Sequence, residues 1–133
     1  ARVIRTNERS DIALLMFPIG HYPTTSIAKS ANYDIGERLI VIGTPLSAGL
    51  SFSVTEGIVS GSRFFNETTY IQTDATVNPG NSGGPTISLE NGNILGIVTM
   101  KIVGMNVEGI AFAIVLEDAL RSVGVTVVSP EDE

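Results

Sequence analysis

Short β-branched runs, each closed by a glycine, proline or asparagine turn signal, govern what this chain can fold into. Asp11–Phe17 is apolar and stops at Pro18, and Arg38–Gly43 (RLIVIG) reads as a buried strand stopped by Gly43-Thr44-Pro45. Ser51–Ser60 alternates loosely, Tyr70–Thr73 is short, and Gly109–Ile114 forms another run. Thr86–Leu89 and Ile94–Met100 flank Glu90-Asn91-Gly92-Asn93. Asn-Gly between two such runs predicts a hairpin, because a two-residue turn of that type needs positive φ at both central positions. Helical spacing occurs once, at 115–123. There Leu116, Ala119, Leu120 and Val123 share a face, with Glu117 and Asp118 early, Arg121 late and Gly124 behind. Gly20–Asn32 reads as loop and 129–133 as a frayed polar tail. Many short strands and one late helix predict an all-β barrel.

Composition narrows the functional classes. The 133 residues make one domain or one large lobe. Hydrophobic residues at 43% can build a core without disulfides. A net charge of −6 argues against a nucleic-acid partner, since phosphate backbones repel an acidic surface. The chain has no cysteine, which removes thiolate catalysis and cysteine-zinc sites. With one histidine and no clustered carboxylates, neither a metal site nor a cofactor is expected.

The segment that carries chemistry is Gly80-Asn81-Ser82-Gly83-Gly84-Pro85. An acyl-transfer nucleophile needs an exposed hydroxyl on a constrained turn and backbone N–H groups facing the developing oxyanion. Glycine at 80 lets the backbone approach a substrate, and Gly83 and Gly84 turn the chain away without crowding it. Each oxyanion donor contributes about 3–4 kcal/mol to the transition state. The same letters fit the G-x-S-x-G nucleophile elbow of α/β-hydrolases. That motif requires a following helix and a downstream histidine. Here Pro85 and a β-branched run follow, and no histidine lies downstream. Composition alone leaves open a glycine-rich turn that binds nothing.

Residues Gln72 to Pro85 (QTDATVNPGNSGGP) resemble the active-site segment of the HtrA (Deg) family of chymotrypsin-fold serine proteases. The likeness extends in order along the chain. Ser10-Asp11-Ile12-Ala13-Leu14-Leu15 resembles the family's catalytic-aspartate segment, and Gly36–Pro45 and Val54–Ser60 resemble two of its barrel strands. Gly96–Thr99 and the run to Ile114 resemble the substrate-lining and closing strands.

The resemblance implies an all-β, chymotrypsin-like fold, mainly its six-stranded C-terminal barrel, with one helix at about 115–123. Residues 1–30 would be the last part of a first barrel and the crossing segment, and 31–128 the second barrel. No PDZ domain is expected within these residues. Ser82 is the implied nucleophile and Asp11 the orienting acid, with the N–H groups of Gly80 and Ser82 as oxyanion hole. Thr76, Val77 and Asn78, with Ile97, Val98 and Thr99, would line the P1 side-chain pocket. Ile97–Thr99 would also pair with extended substrate backbone. No acid matches the base of a trypsin-type pocket, so a small or medium apolar P1 residue is expected. Asn81 stands where trypsin-like zymogens carry an aspartate, and asparagine cannot make the ion pair with a freed N-terminus, which argues against activation by N-terminal cleavage. Implied partners are protein or peptide substrates in extended conformation and further copies of the chain in a trimer. The implied location is exported, periplasmic or organellar.

One part of the triad is missing. The family order is histidine, aspartate, serine, and none of the ten residues before Asp11 is histidine. His21, the sole histidine, follows Asp11 in a Gly/Pro/Thr loop. The expectation is a piece of a longer protease, nearly inert alone, whose base lies in a missing N-terminal segment. The alternative is a histidine-less relative that binds peptides without cutting them.

Overall fold

The computed structural model describes residues 1–27, 32–44, 52–99 and 109–128. Eight strands and a helix follow in order: β1 (Arg2–Asn7), β2 (Ile12–Met16), β3 (Arg38–Gly43), β4 (Ser53–Phe65), β5 (Thr68–Thr73), β6 (Pro85–Ser88), β7 (Ile94–Thr99), β8 (Ala111–Val115) and α1 (Leu116–Ser122). Strands β3 to β8 close a barrel in the order β3-β4-β5-β8-β7-β6, every neighbouring pair antiparallel. Closure satisfies each strand on both sides and removes exposed sheet edges. The all-β, chymotrypsin-like expectation holds, helix included. Strands β1 and β2 form a separate hairpin, of which only the second strand was read from the sequence.

Two clusters hold the fold together. Leu39, Val41, Val59, Ile71, Leu95 and Val98, with Ala75 and Val115, make the barrel core. Tyr70, Phe112, Ile114 and Ala119 form a second cluster, with Ile12, Ile97 and Ile110 packed on it. That cluster joins the helix and the β1–β2 hairpin to the outside of the barrel. This double covering explains why Phe112 to Val115 are all buried rather than alternating.

The β4–β5 hairpin reaches further than the sequence suggests. Strand β4 runs five residues past Ser60 to Phe65, and Phe65 pairs with Thr68 across a two-residue turn. Asn66 and Glu67 both have positive φ, 50° and 62°. Asparagine adopts this conformation readily, whereas glutamate is strained in it. Glu67→Gly is therefore expected to raise stability by about 0.5–1 kcal/mol, read as a higher urea midpoint at unchanged slope. The β6–β7 hairpin lies where Asn91-Gly92 places it, but with a longer link. Gly92 alone of the two has positive φ, 76°. Asn91 Oδ1 instead accepts the N–H of Asn93 at 2.9 Å.

The helix has no side-chain cap at Val115. Of its first-turn acids Glu117 and Asp118, Asp118 turns towards β5 to accept the N–H of Thr69 at 2.7 Å and also pairs with Arg121. Asp118 also acts on Tyr70. Burial first, and the Asp118 charge second, push the Tyr70 phenol above its ordinary value of 10.0. The folded state therefore favours the neutral phenol. This contribution is intact below pH 10 and is lost as pH climbs through the raised value. Tyr70→Phe should flatten the alkaline fall in stability, measured by denaturant unfolding between pH 8 and 11 (about the range spanning the tyrosine transition).

Candidate active site

Ser82 is exposed on the segment that links β5 to β6. Glycines with positive φ stand on either side, Gly80 at 104° and Gly83 at 88°. The segment is tied to two strands. At its β3 side, the Thr44 N–H donates to Gly80 O at 3.2 Å. At its β7 side, Gly83 N–H donates to Val98 O at 2.8 Å and Val98 N–H donates to Gly84 O at 2.9 Å. Within the loop, Asn81 N–H donates to Asn78 O and Gly84 N–H to Asn81 O. Asn81 is only 3% exposed and packs against Gly43, where any side chain would collide with it. The buried asparagine and its pinned backbone hold the next residue, Ser82, outward. No backbone acceptor among the described residues takes the N–H of Gly80 or Ser82. The loop thus leaves an exposed hydroxyl and two backbone N–H groups without a bonded partner among the described residues.

Beside this loop lies a cavity of about 430 Å³. Thr76, Val77 and Asn78 line it, with Asp74 and Ala75. The opposite wall is Gly109, Ile110 and Ala111. Sequence reading missed this wall. Its signal was Gly109, which enters β8 at a φ of 80° and brings no side chain into the cavity. Ile97, Val98 and Thr99 do not line the cavity; they lie on β7, between β6 and β8. Both backbone groups of Val98 are taken by Gly83 and Gly84, so a substrate strand could pair there only by displacing them. Asp74 does reach the cavity, yet its Oδ1 accepts the N–H of Ile58 at 2.8 Å and braces the β4 bulge.

Asp11 occupies the turn of the β1–β2 hairpin, exposed and with φ at 58°. No hydrogen bond joins it to Ser82 among the described residues. His21 is exposed in the coil after β2, next in sequence to the Phe17–Tyr22 ring contact, and no hydrogen bond among the described residues joins it to Asp11 or Ser82. The described residues contain no group of three or more histidine, aspartate or glutamate side chains arranged to hold a metal.

The barrel, the docked hairpin and the serine loop define a class. The family description "Trypsin-like peptidase domain" matches residues 1–97, and the chain belongs to that family. Its named relatives are narrower. The chain is 41% identical over 128 residues to "Serine protease Do-like HtrA" of Bacillus subtilis (strain 168), covering 89% of this chain and 28% of that protein. It is 45% identical over 101 residues to "Probable periplasmic serine endoprotease DegP-like" of Pseudomonas fulva (strain 12-X), covering 73% and 20%. To "Serine protease Do-like HtrA" of Lactobacillus helveticus it is 35% identical over 125 residues, covering 86% and 30%. The HtrA (Deg) resemblance read from the motifs is thus borne out. The chain spans between a fifth and a third of the length of these relatives.

Proposed function

We propose that this chain carries the nucleophile lobe of an HtrA-type serine endopeptidase. The observation that carries the reading is the exposed Ser82 on a loop whose neighbours are pinned while the N–H groups of Gly80 and Ser82 meet no backbone acceptor among the described residues. In this mechanism Ser82 Oγ attacks the scissile carbonyl carbon as a histidine takes its proton. The oxyanion is held by the two N–H groups. The histidine passes the proton to the departing amine, leaving an ester on Ser82. Water then hydrolyses the ester by the same route. Asp11 orients the histidine and stabilises its charged form.

That histidine is read as coming from outside these 133 residues, because His21 follows Asp11 in the chain and no hydrogen bond joins it to Asp11 or Ser82 among the described residues. Residues 1–30 then act as the edge of a first barrel and its crossing segment, and 31–128 as the second barrel. Substrates are proteins with exposed, extended backbone, and the role is protein quality control. Export to a periplasm or cell envelope, and trimer formation, are part of the same reading.

The cavity beside the loop serves as the P1 pocket. Its walls Val77, Ile110 and Ala111 suit a small or medium apolar side chain. Asp74 stands on the wall with its Oδ1 turned to the N–H of Ile58 on β4. Val98 supports this site by anchoring the serine loop to β7 through Gly83 and Gly84. Cleavage-site mapping on an unfolded protein tests the assignment. Cuts after residues such as alanine, valine and leucine are expected, and cuts concentrated after lysine and arginine would overturn it. A second reading, peptide binding without cleavage, is favoured by the lack of any base in contact with Ser82 among the described residues.

A further inference from the structure

The hairpin that carries Asp11 is fastened to the far end of the chain by one side chain used twice. Asn7 closes β1 and is half-buried. Its Oδ1 accepts the N–H of Ser10 at 2.9 Å, which shapes the turn leading into Asp11. Its Nδ2 donates to Ser122 O at 3.0 Å, one of the carbonyls that the end of α1 leaves without an intrahelical partner. Arg5 adds a second tie, Nη1 to Val123 O at 3.3 Å. Asp11 itself sits at a positive φ, which aspartate tolerates better than most side chains but which its surroundings must fix. Asn7 and Ser10 impose it from one side, and Ile12, packed on the cluster around Phe112 and Ala119, from the other.

We propose that Asn7 is the positioning residue for Asp11, and that it couples the acid-bearing turn to the C-terminal end of α1. The proposal rests on the reading of Asp11 as the orienting acid. Asparagine fits the task because it offers a donor and an acceptor on one short side chain. Aspartate in its place keeps the acceptor for Ser10 but sets a carboxylate against the Ser122 carbonyl. Alanine removes both bonds. The two variants therefore separate the turn from the coupling.

Amide hydrogen exchange on the 133-residue chain gives the first readout. Exchange at Ser10 should rise about fivefold in Asn7→Ala, the value of one typical hydrogen bond, and stay unchanged in Asn7→Asp. Unchanged Ser10 exchange in Asn7→Ala would overturn the proposal. The second readout is turnover, with the base-supplying segment present. Asn7→Ala should lower kcat by about 100-fold with KM unchanged, the signature of a misplaced catalytic group rather than a weakened fold. Asn7→Asp should fall between the two, since it keeps the turn and loses the helix tie. Full kcat in Asn7→Ala, with Ser82→Ala inactive in parallel, would also overturn it. If Ser82→Ala were instead fully active, the protease reading would fail, and the exchange measurement alone would decide whether Asn7 orders the turn.

Discussion

Ser82→Ala, made in the protein supplied with its base, is expected to lower kcat by about 10⁶-fold. Loss of the nucleophile removes the covalent route, and what remains is the modest effect of the oxyanion donors and substrate binding. KM should change little, because the hydroxyl is proposed to act at the scissile carbon and not to hold substrate. The fold should be indifferent to the change. Ser82 is exposed and its hydroxyl bonds to no described residue, so unfolding free energy should move by less than about 0.5 kcal/mol. The two measurements together, hydrolysis and a denaturant melt, separate loss of chemistry from loss of structure. A variant that kept a tenth of its turnover would remove Ser82 from the role of nucleophile (such a drop is only about 1.4 kcal/mol).

The second large effect is structural. Gly84→Ala should destabilise the protein by about 3 kcal/mol. A β-carbon at 84 would lie within the contact radius of Ile42 O and 3.0 Å from Asn81 O. Both obstacles are backbone and cannot swing aside. Gly84 is also bonded on both sides, its N–H to Asn81 O and its carbonyl to Val98 N–H, so it cannot shift without breaking the serine loop from β7. Gly83→Ala provides the contrast. A β-carbon there meets nothing within 4 Å, and only its φ of 88° stands against it. That substitution should cost no more than about 1–2 kcal/mol. Urea melts of the two variants should keep this order; equal values would mean that the loop does not rest on β3 as described.

The barrel was legible because its strands carry their own punctuation. Arg38–Gly43 ends at a glycine that must be one, since Gly43 lies against Asn81 with 2.8 Å between a notional β-carbon and the Asn81 Cα. The helix was legible from the spacing of Leu116, Ala119 and Val123, all buried. Strand β1 was not, because Arg2 to Thr6 are all exposed and show no buried–exposed alternation to read. The extension of β4 was hidden for a similar reason: Phe64 and Phe65 are exposed, and the turn after them uses Asn66-Glu67, not a glycine pair. In the candidate site, the serine loop and the Thr76–Asn78 wall were visible as a motif. The Gly109–Ala111 wall was not, since pairing of β5 with β8 brings it there from more than thirty residues away. The double use of Asn7 is likewise a product of tertiary packing, joining positions 115 residues apart.

The most direct test of the central claim is covalent labelling with a fluorophosphonate probe, followed by mass mapping. The chain would be labelled alone and together with the segment that supplies its base, with Ser82→Ala as control. The account predicts a single phosphonylated residue, Ser82, labelled rapidly only when the base is present and nowhere in the control. Folded protein that takes no label at Ser82 with the base present, or label that persists in Ser82→Ala, would contradict it.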